Sequence, residues 1–303
     1  MKELEYLSII NKELEDSSLL GDDCAFLQDL GIYVTQDTLV EDVHFKLSTA
    51  TPYQIAQKSV HVNISDLAAA GAKPLYITIS LSLPRYCNES FVQEFYKGVN
   101  SACLSLNIKV AGGDLTASDK VVVSVCAIGK KMSSVEVSRS FAKANDVVIV
   151  TGFHGHSAGG LRLLMQGGKK SQYLTDKHLL PVAQTEKSKE IINCAAVSGV
   201  RKIAMMDTSD GLGDAVYKIS KASGKMIELE HIPVSKELME MFPDDYMDLA
   251  LWGGEDYELI ACIDEKVYNL LDKTKFIKIG RVLDKPLSKD FVEQFENKSF
   301  KHF

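Results

Sequence analysis

Acidic residues recur where apolar segments end, and this limits what the chain can fold into. Five clusters punctuate apolar stretches: Gly21-Asp22-Asp23, Thr35-Gln36-Asp37, Ser65-Asp66, Gly113-Asp114 and Asp207-Thr208-Ser209-Asp210-Gly211. A sixth, Gly253-Gly254-Glu255-Asp256, precedes one. An unpaired carboxylate is costly to bury, so the fold must bring such turns to an edge or a cleft. Gathered there, they repel one another unless a cation stands between them. Oxygen-rich clusters suit magnesium, which takes a few carboxylates together with waters and substrate phosphates. Glycine beside several of them lets backbone approach a ligand closely. Taken singly, Asp22, Asp42 and Asp256 read equally well as turn formers or helix caps. That alternative explains six acidic clusters, most of them beside glycine, poorly as a set.

Asp207 and Asp210 form the sharpest pair. A strand delivers Asp207 to its end, and Asp210 hangs a second carboxylate at a helix start, where it can also serve as a cap. Asp66 lies inside an otherwise apolar helix, with Ser59, Asn63 and Asp66 on one face at helical spacing.

Elements of both types alternate along the chain. Gly31 to Gln36 reads as a strand ending at Asp37. Thr51-Pro52 opens a helix that stops at Gly71. Leu75, Ile77, Ile79, Leu81 and Leu83 alternate with polar residues and Tyr76, a half-buried strand. Asn88 caps a second helix, with Phe91, Phe95, Val99 and Ala102 on its apolar face. A strand over 108–111 leads into Gly112-Gly113-Asp114, and another covers 121–128. In the second half, strands are expected over 147–151, 203–206, 257–263 and 276–282. Helices are expected over 157–166, up to about 198, and from Asp210 to Ser223. The polar stretch 167–176 reads as a loop.

With 303 residues, two domains of about 150 residues are expected. The strands are interrupted near residue 140, which divides the chain into 1–140 and 141–303. The class is α/β or α+β in layers. A net charge of −7 argues against broad nucleic-acid binding. No segment has the character of a signal peptide or membrane helix. Six scattered cysteines without a Cys-x-x-Cys pair fit reduced thiols in the cytoplasm, each a small buried hydrophobe.

Other chemistries find little support. The chain lacks a Walker-type loop, a zinc-ligand pattern and a hydrolase nucleophile elbow. The glycine-rich run Gly152 to Gly160 follows a strand and precedes a helix. It reads either as a phosphate cradle of backbone N–H groups or as a tight turn. His154 and His156 within it read as solvent-facing turn residues.

In order along the chain, the motifs resemble the thiamine-monophosphate kinases, of the aminoimidazole ribonucleotide synthetase-like superfamily. The carriers are Gly21-Asp22-Asp23-Cys24-Ala25, the run Thr35 to Phe45, the run Val62 to Ala72, Ala111-Gly112-Gly113-Asp114, Met206-Asp207-Thr208-Ser209-Asp210-Gly211-Leu212 and Gly253-Gly254-Glu255-Asp256-Tyr257-Glu258-Leu259. The terminal Phe300-Lys301-His302-Phe303 looks like the family's aromatic tail. The resemblance implies a two-domain α/β (α+β) fold. Its N-terminal domain, 1–140, would bind ATP and magnesium and form a homodimer through its sheet, and a mixed α/β domain would span 141–303. The implied activity is direct, magnesium-assisted transfer of the ATP γ-phosphoryl group to thiamine monophosphate, giving thiamine diphosphate, with no phosphoenzyme and no residue acting as a covalent catalyst. Implied magnesium ligands are Asp23, Thr35, Gln36, Asp37, Asp66, Asp114, Asp207 and Asp210. Tyr96, Gly113, Asp114, Arg139 and Ser209 are implied at ATP, and His44, Glu255 and Phe300 at thiamine monophosphate. On the residues alone, Tyr96 and Phe300 also fit plain packing, and Arg139 a solvated charge.

The chain departs from the family pattern in places. Gln36 stands where Ser or Thr is usual, so its amide oxygen or its main-chain carbonyl must serve. Asp42 replaces a common glycine, His156 a common Asp, and Leu180 a common Arg. No central carboxylate is lost. The competing readings are another ATP-using enzyme of the superfamily and a regulatory dimer without turnover. Selenophosphate synthesis would want a reactive cysteine before Cys24, and the hydrogenase-maturation relatives end in a cysteine. A regulatory dimer would show broken metal carboxylates.

Overall fold

The computed structural model describes residues 2–167, 170–296 and 298. The first half runs α1 (Lys2–Glu13), β1 (Ala25–Leu27), β2 (Ile32–Val40), α2 (Pro52–Ala69), β3 (Ala72–Leu83), α3 (Glu89–Leu106), β4 (Lys109–Ala117) and β5 (Val122–Lys131). The second runs β6 (Glu136–Val137), a 3-10 turn at Arg139–Phe141, β7 (Val147–Val150), α4 (His156–Met165), α5 (Gln172–Leu179), α6 (Thr185–Val197) and β8 (Lys202–Asp207). It continues with α7 (Leu212–Ser223), β9 (Ile227–Leu229), α8 (Lys236–Met241), α9 (Tyr246–Trp252), β10 (Leu259–Ile263), α10 (Glu265–Leu270), β11 (Ile277–Val282) and α11 (Lys289–Glu296).

Two mixed sheets result. One has the order β1-β2-β5-β3-β4, the other β6-β8-β10-β7-β11-β9. Each contains one parallel pair, β3 with β4 and β6 with β8; the remaining pairs are antiparallel. This is the mixed α/β architecture that the alternation of elements predicts.

Helix α2 links the two cores. Thr51 and Gln54 close a capping box at its start, with Pro52 in the first turn. Its body is buried almost all round, as a helix apolar on every face must be. Val60, Ile64 and Leu67 pack under the first sheet, while Ala68 and Ala69 meet Ile191 and Ile192 of α6. Each large apolar side chain so removed from water contributes about 1.5–3 kcal/mol. The polar residues that α2 carries, Lys58, Ser59, Asn63, Ser65 and Asp66, are therefore locked between the two sheets.

Several expectations are corrected. Gly112-Gly113-Asp114 is the middle of β4 rather than a turn after a strand. A Cβ on Gly113 would lie 2.0 Å from the carbonyl oxygen of Ile79, so glycine is what lets the parallel pair close. The expected loop 167–176 contains the start of α5, capped by the Ser171 side chain. The single long helix expected next is two, α5 and α6, separated by a segment containing Pro181. Cys24, Cys103 and Cys262 are buried, but Cys87, Cys126 and Cys194 are only half-buried. Cys126 belongs to the outward face of β5, which the apolar run alone did not reveal.

Candidate active site

The described acidic turns converge unequally. Strand β2 runs past the expected end at Asp37 to Val40, and it crosses α2 with its side chains alternating between faces. Thr35 Oγ1 donates to Asp66 Oδ2 at 2.6 Å, and the main-chain N–H of Asp37 donates to Asn63 Oδ1 at 2.8 Å. From the other sheet, β8 delivers Asp207 to its last position. Ser65 Oγ donates to Asp207 Oδ2 at 2.7 Å, and Ser209 Oγ donates to Oδ1 at 2.8 Å. Asp23 enters from the loop before β1. Carboxylate oxygens of Asp23, Asp66 and Asp207 all lie within 4.8 Å of one another.

Such crowding sets the electrostatics. Burial pushes Asp23 up to about 7 despite the neighbouring Arg139. It pushes Asp37 up to about 6, with Asp207 and Asp210 adding to the effect. Asp66 is driven well above the usual carboxylate range by burial and by Asp207 and Asp37, and Asp207 also rises through burial. Ionising the group together is unfavourable without a cation among the oxygens.

Basic side chains stand at the margins. Arg139 Nη2 donates to Asp23 Oδ1 at 2.8 Å, and its Nε lies 3.6 Å from Asp22 Oδ1. Lys218 Nζ lies 2.7 Å from both Asp210 Oδ2 and Asp214 Oδ2. Asp22, Asp23, Arg139, Asp210 and Lys218 line a cleft of about 550 Å³, together with His44, His178, Ser209, Gly254 and Glu255.

The clustered residues are Asp23, Thr35, Asp37, Asp66, Arg139, Asp207, Ser209 and Asp210, with His44 and Glu255 further along the cleft. Gln36 also lines the cleft, but strand alternation separates its side chain from those of Thr35 and Asp37. Its amide donates to Ser124 Oγ of β5 at 3.4 Å, on the opposite face. Gly113 and Asp114, on fully exposed β4, and Tyr96, exposed on α3, do not line the cleft of this chain. Phe300 lies outside the described residues.

Of the two readings of the glycine-rich run, the tight turn is the one its contacts favour. Asp256 accepts from the N–H of Gly155 at 2.6 Å and of Ser157 at 2.9 Å. Two N–H groups at the start of α4 are thus already taken, so Asp256 has the capping role. His154 and His156 are buried rather than solvent-facing.

Sequence reasoning missed Lys58, His178 and Lys218. Lys58 Nζ lies 2.8 Å from Glu255 Oε1, and His178 Nδ1 lies 3.4 Å from Glu255 Oε2. A lysine within the apolar run 55–67 was the available signal. Backbone strain marks the same region: Asp42, Glu255 and Tyr257 adopt φ of 67°, 68° and 51°, each costing about 1–3 kcal/mol for a residue with a Cβ. The Asp42 value explains why glycine is common there. Gly254 permits the turn, since a Cβ would lie 2.6 Å from the Ser209 carbonyl oxygen.

Two mixed sheets closing on a carboxylate-lined cleft define a protein of the AIR synthase class. Residues 21–130 match the family described as AIR synthase related protein, N-terminal domain. The thiamine-monophosphate kinase of Bacillus subtilis is 32% identical over 98% of this chain and 97% of its own. That of Aquifex aeolicus is 35% identical over 99% and 98%. The solved structure of AaThiL complexed with AMPPCP and TMP superposes with a TM-score of 0.86 at 32% identity, covering 100% of this chain and 98% of that one. The chain belongs to the thiamine-monophosphate kinase family.

Proposed function

We infer that the chain transfers the γ-phosphoryl group of ATP directly to the phosphate of thiamine monophosphate, forming thiamine diphosphate and ADP, with magnesium. The observation that carries this reading is the converging triad Asp23, Asp66 and Asp207, in a chain akin to kinases over its whole length. An oxygen-only donor set with crowded, partly buried carboxylates fits magnesium. Asp23, Asp66 and Asp207 would hold it, with Thr35, Asp37 and Asp210 completing the site and Gln36 serving through its main-chain carbonyl. When bound, magnesium would neutralise the charge of the facing phosphates.

The protein's own groups position the reactants. The acceptor is a phosphate, already ionised near neutral pH, so no strong base is required. Phosphoryl transfer asks chiefly for alignment and charge complementarity. Arg139, charged at any working pH, has the forked geometry that grips phosphate oxygens. Ser209 presents a hydroxyl beside Asp207 for the nucleotide. His44 and Glu255 orient the thiamine moiety at the far end of the cleft, and Phe300 would stack on its pyrimidine ring.

A homodimer belongs to this reading. Gly113, Asp114 and Tyr96 stand away from the cleft on an exposed strand and helix, and a second copy packed on the first sheet would make them available to its nucleotide. The outward face there carries Tyr76 and Ile128 beside polar Thr78 and Ser80, a half-apolar surface suited to a partner. The domains would divide near residue 140. The cytoplasm is the fitting compartment for six free thiols, and no helix among the described residues is long and apolar enough to cross a membrane.

The test is a product assay with ATP, magnesium and thiamine monophosphate. Equimolar thiamine diphosphate and ADP, both dependent on magnesium, are expected. ADP without thiamine diphosphate would point to a different acceptor, and no ADP from folded protein would overturn the kinase.

A further inference from the structure

Glu255 stands where two cavities meet. It lines the large cleft and also a smaller cavity of about 90 Å³ walled by Phe45, Ile55, Leu164 and Met165. Its backbone is in the left-handed region, a conformation that persists only where the surroundings over-determine it. Here they do. The N–H of Glu255 donates to the Ser209 carbonyl at 2.6 Å. Lys58 Nζ holds Oε1 at 2.8 Å, and His178 stops Oε2 at 3.4 Å. Lys58 is only 3% exposed and also donates to the His44 carbonyl oxygen at 3.4 Å. One buried ammonium therefore ties together the two loops that carry His44 and Glu255.

Stability alone is a weak reason for such a pair, because well-packed apolar residues often serve as well. Fixing one geometry is the better account. Burial opposes ionisation of Glu255, yet Lys58, with His178 and His44, outweighs it and holds the carboxyl below its ordinary range. A carboxylate offers about four acceptor sites. Lys58 occupies one, and the Glu255 side chain keeps 26% exposure towards the cavities. Acceptor capacity is thus left for a ligand.

We propose that Lys58 is a positioning residue: it fixes Glu255 as an acceptor at the mouth of the apolar cavity, so that the site selects a phosphorylated substrate whose heteroaromatic ring presents N–H donors. The inference rests on the acceptor being thiamine monophosphate, whose aminopyrimidine ring has such donors. A rigid acceptor of this kind rejects an analogue lacking the donor far better than an apolar wall would.

The test is steady-state kinetics on the full chain with ATP, magnesium and thiamine monophosphate. Lys58→Met and Glu255→Gln are each expected to raise the acceptor KM by about tenfold or more, with the KM for ATP nearly unchanged. The double variant should be no worse than either single one, because Lys58 acts through Glu255. Wild type should also prefer the amino compound to an analogue with hydrogen in place of the amino group, and both variants should lose much of that preference. Additive effects, or a fall in kcat with unchanged acceptor KM, would overturn the proposal. If Lys58→Met does not fold, an unchanged acceptor KM and preference in Glu255→Gln would overturn it equally. If wild type makes no thiamine diphosphate, the kinase reading itself falls, and this inference with it.

Discussion

Two sets of buried carboxylates lie in this molecule, and they differ in how they are answered. Asp256 and Glu258 are satisfied internally. Asp256 accepts two main-chain N–H groups at the start of α4. Glu258 accepts from Thr151 Oγ1 at 2.6 Å and from Gln184 at 3.3 Å, with Lys187 at 3.8 Å. Asp23, Asp66 and Asp207 face one another instead, with hydroxyls and one arginine at their edges. Burial raises Asp256 and Asp23 alike, each to about 7. A raised carboxyl therefore does not mark the site by itself. What marks it is convergence on other carboxylates rather than on donors.

Substitution should separate the two sets most sharply. Asp66→Asn is expected to lower magnesium-dependent turnover by more than about a hundredfold, while melting no lower than wild type because like-charge crowding is relieved. Glu258→Gln should do the reverse, costing about 1–3 kcal/mol of stability and sparing most turnover. Activity assays beside thermal melts check both, and equal behaviour of the two variants would erase the distinction.

A pH effect tests the closed region next. His154 is fully buried, and burial lowers it to about 3. Between roughly pH 6.5, its unfolded value, and its folded value, the unfolded chain binds the extra proton. Stability contributed by neutral His154 is therefore present above that window and is lost as pH falls through it. By pH 5 the loss reaches about 2 kcal/mol. His154→Leu should remove this component, so the melting difference between variant and wild type shifts in favour of the variant from pH 7 to 5. A pH-independent difference would contradict the assignment.

The smallest effect is expected at Gln36. Its amide points away from the triad to Ser124, so Gln36→Ser should alter turnover by no more than about twofold. A large gain or loss would show that the side chain reaches the site.

Much of this contrast was legible in the residues. Asp66 within an apolar helix and Asp207 at a strand end both declared themselves as costly unless partnered, and they do meet. Strand period placed Thr35 and Asp37 on one face, though the same period puts Gln36 on the other. Asp256 is ambiguous in the sequence because its partners, Gly155 and Ser157, lie about a hundred residues away. Lys58 and Lys218 were overlooked because a lysine on a helix ordinarily snorkels to water, and only the packing of α2 between two sheets removes that option for Lys58. Gly112-Gly113 reads as a turn because glycine usually breaks strands; the close approach of β3 is not visible locally.

The most direct test of the central claim is manganese binding, followed by electron paramagnetic resonance with a non-hydrolysable ATP analogue present. The account predicts that wild type and Glu258→Gln immobilise manganese alike and that Asp66→Asn loses much of this binding. Asp66→Asn binding as much manganese, as tightly, as wild type would contradict it.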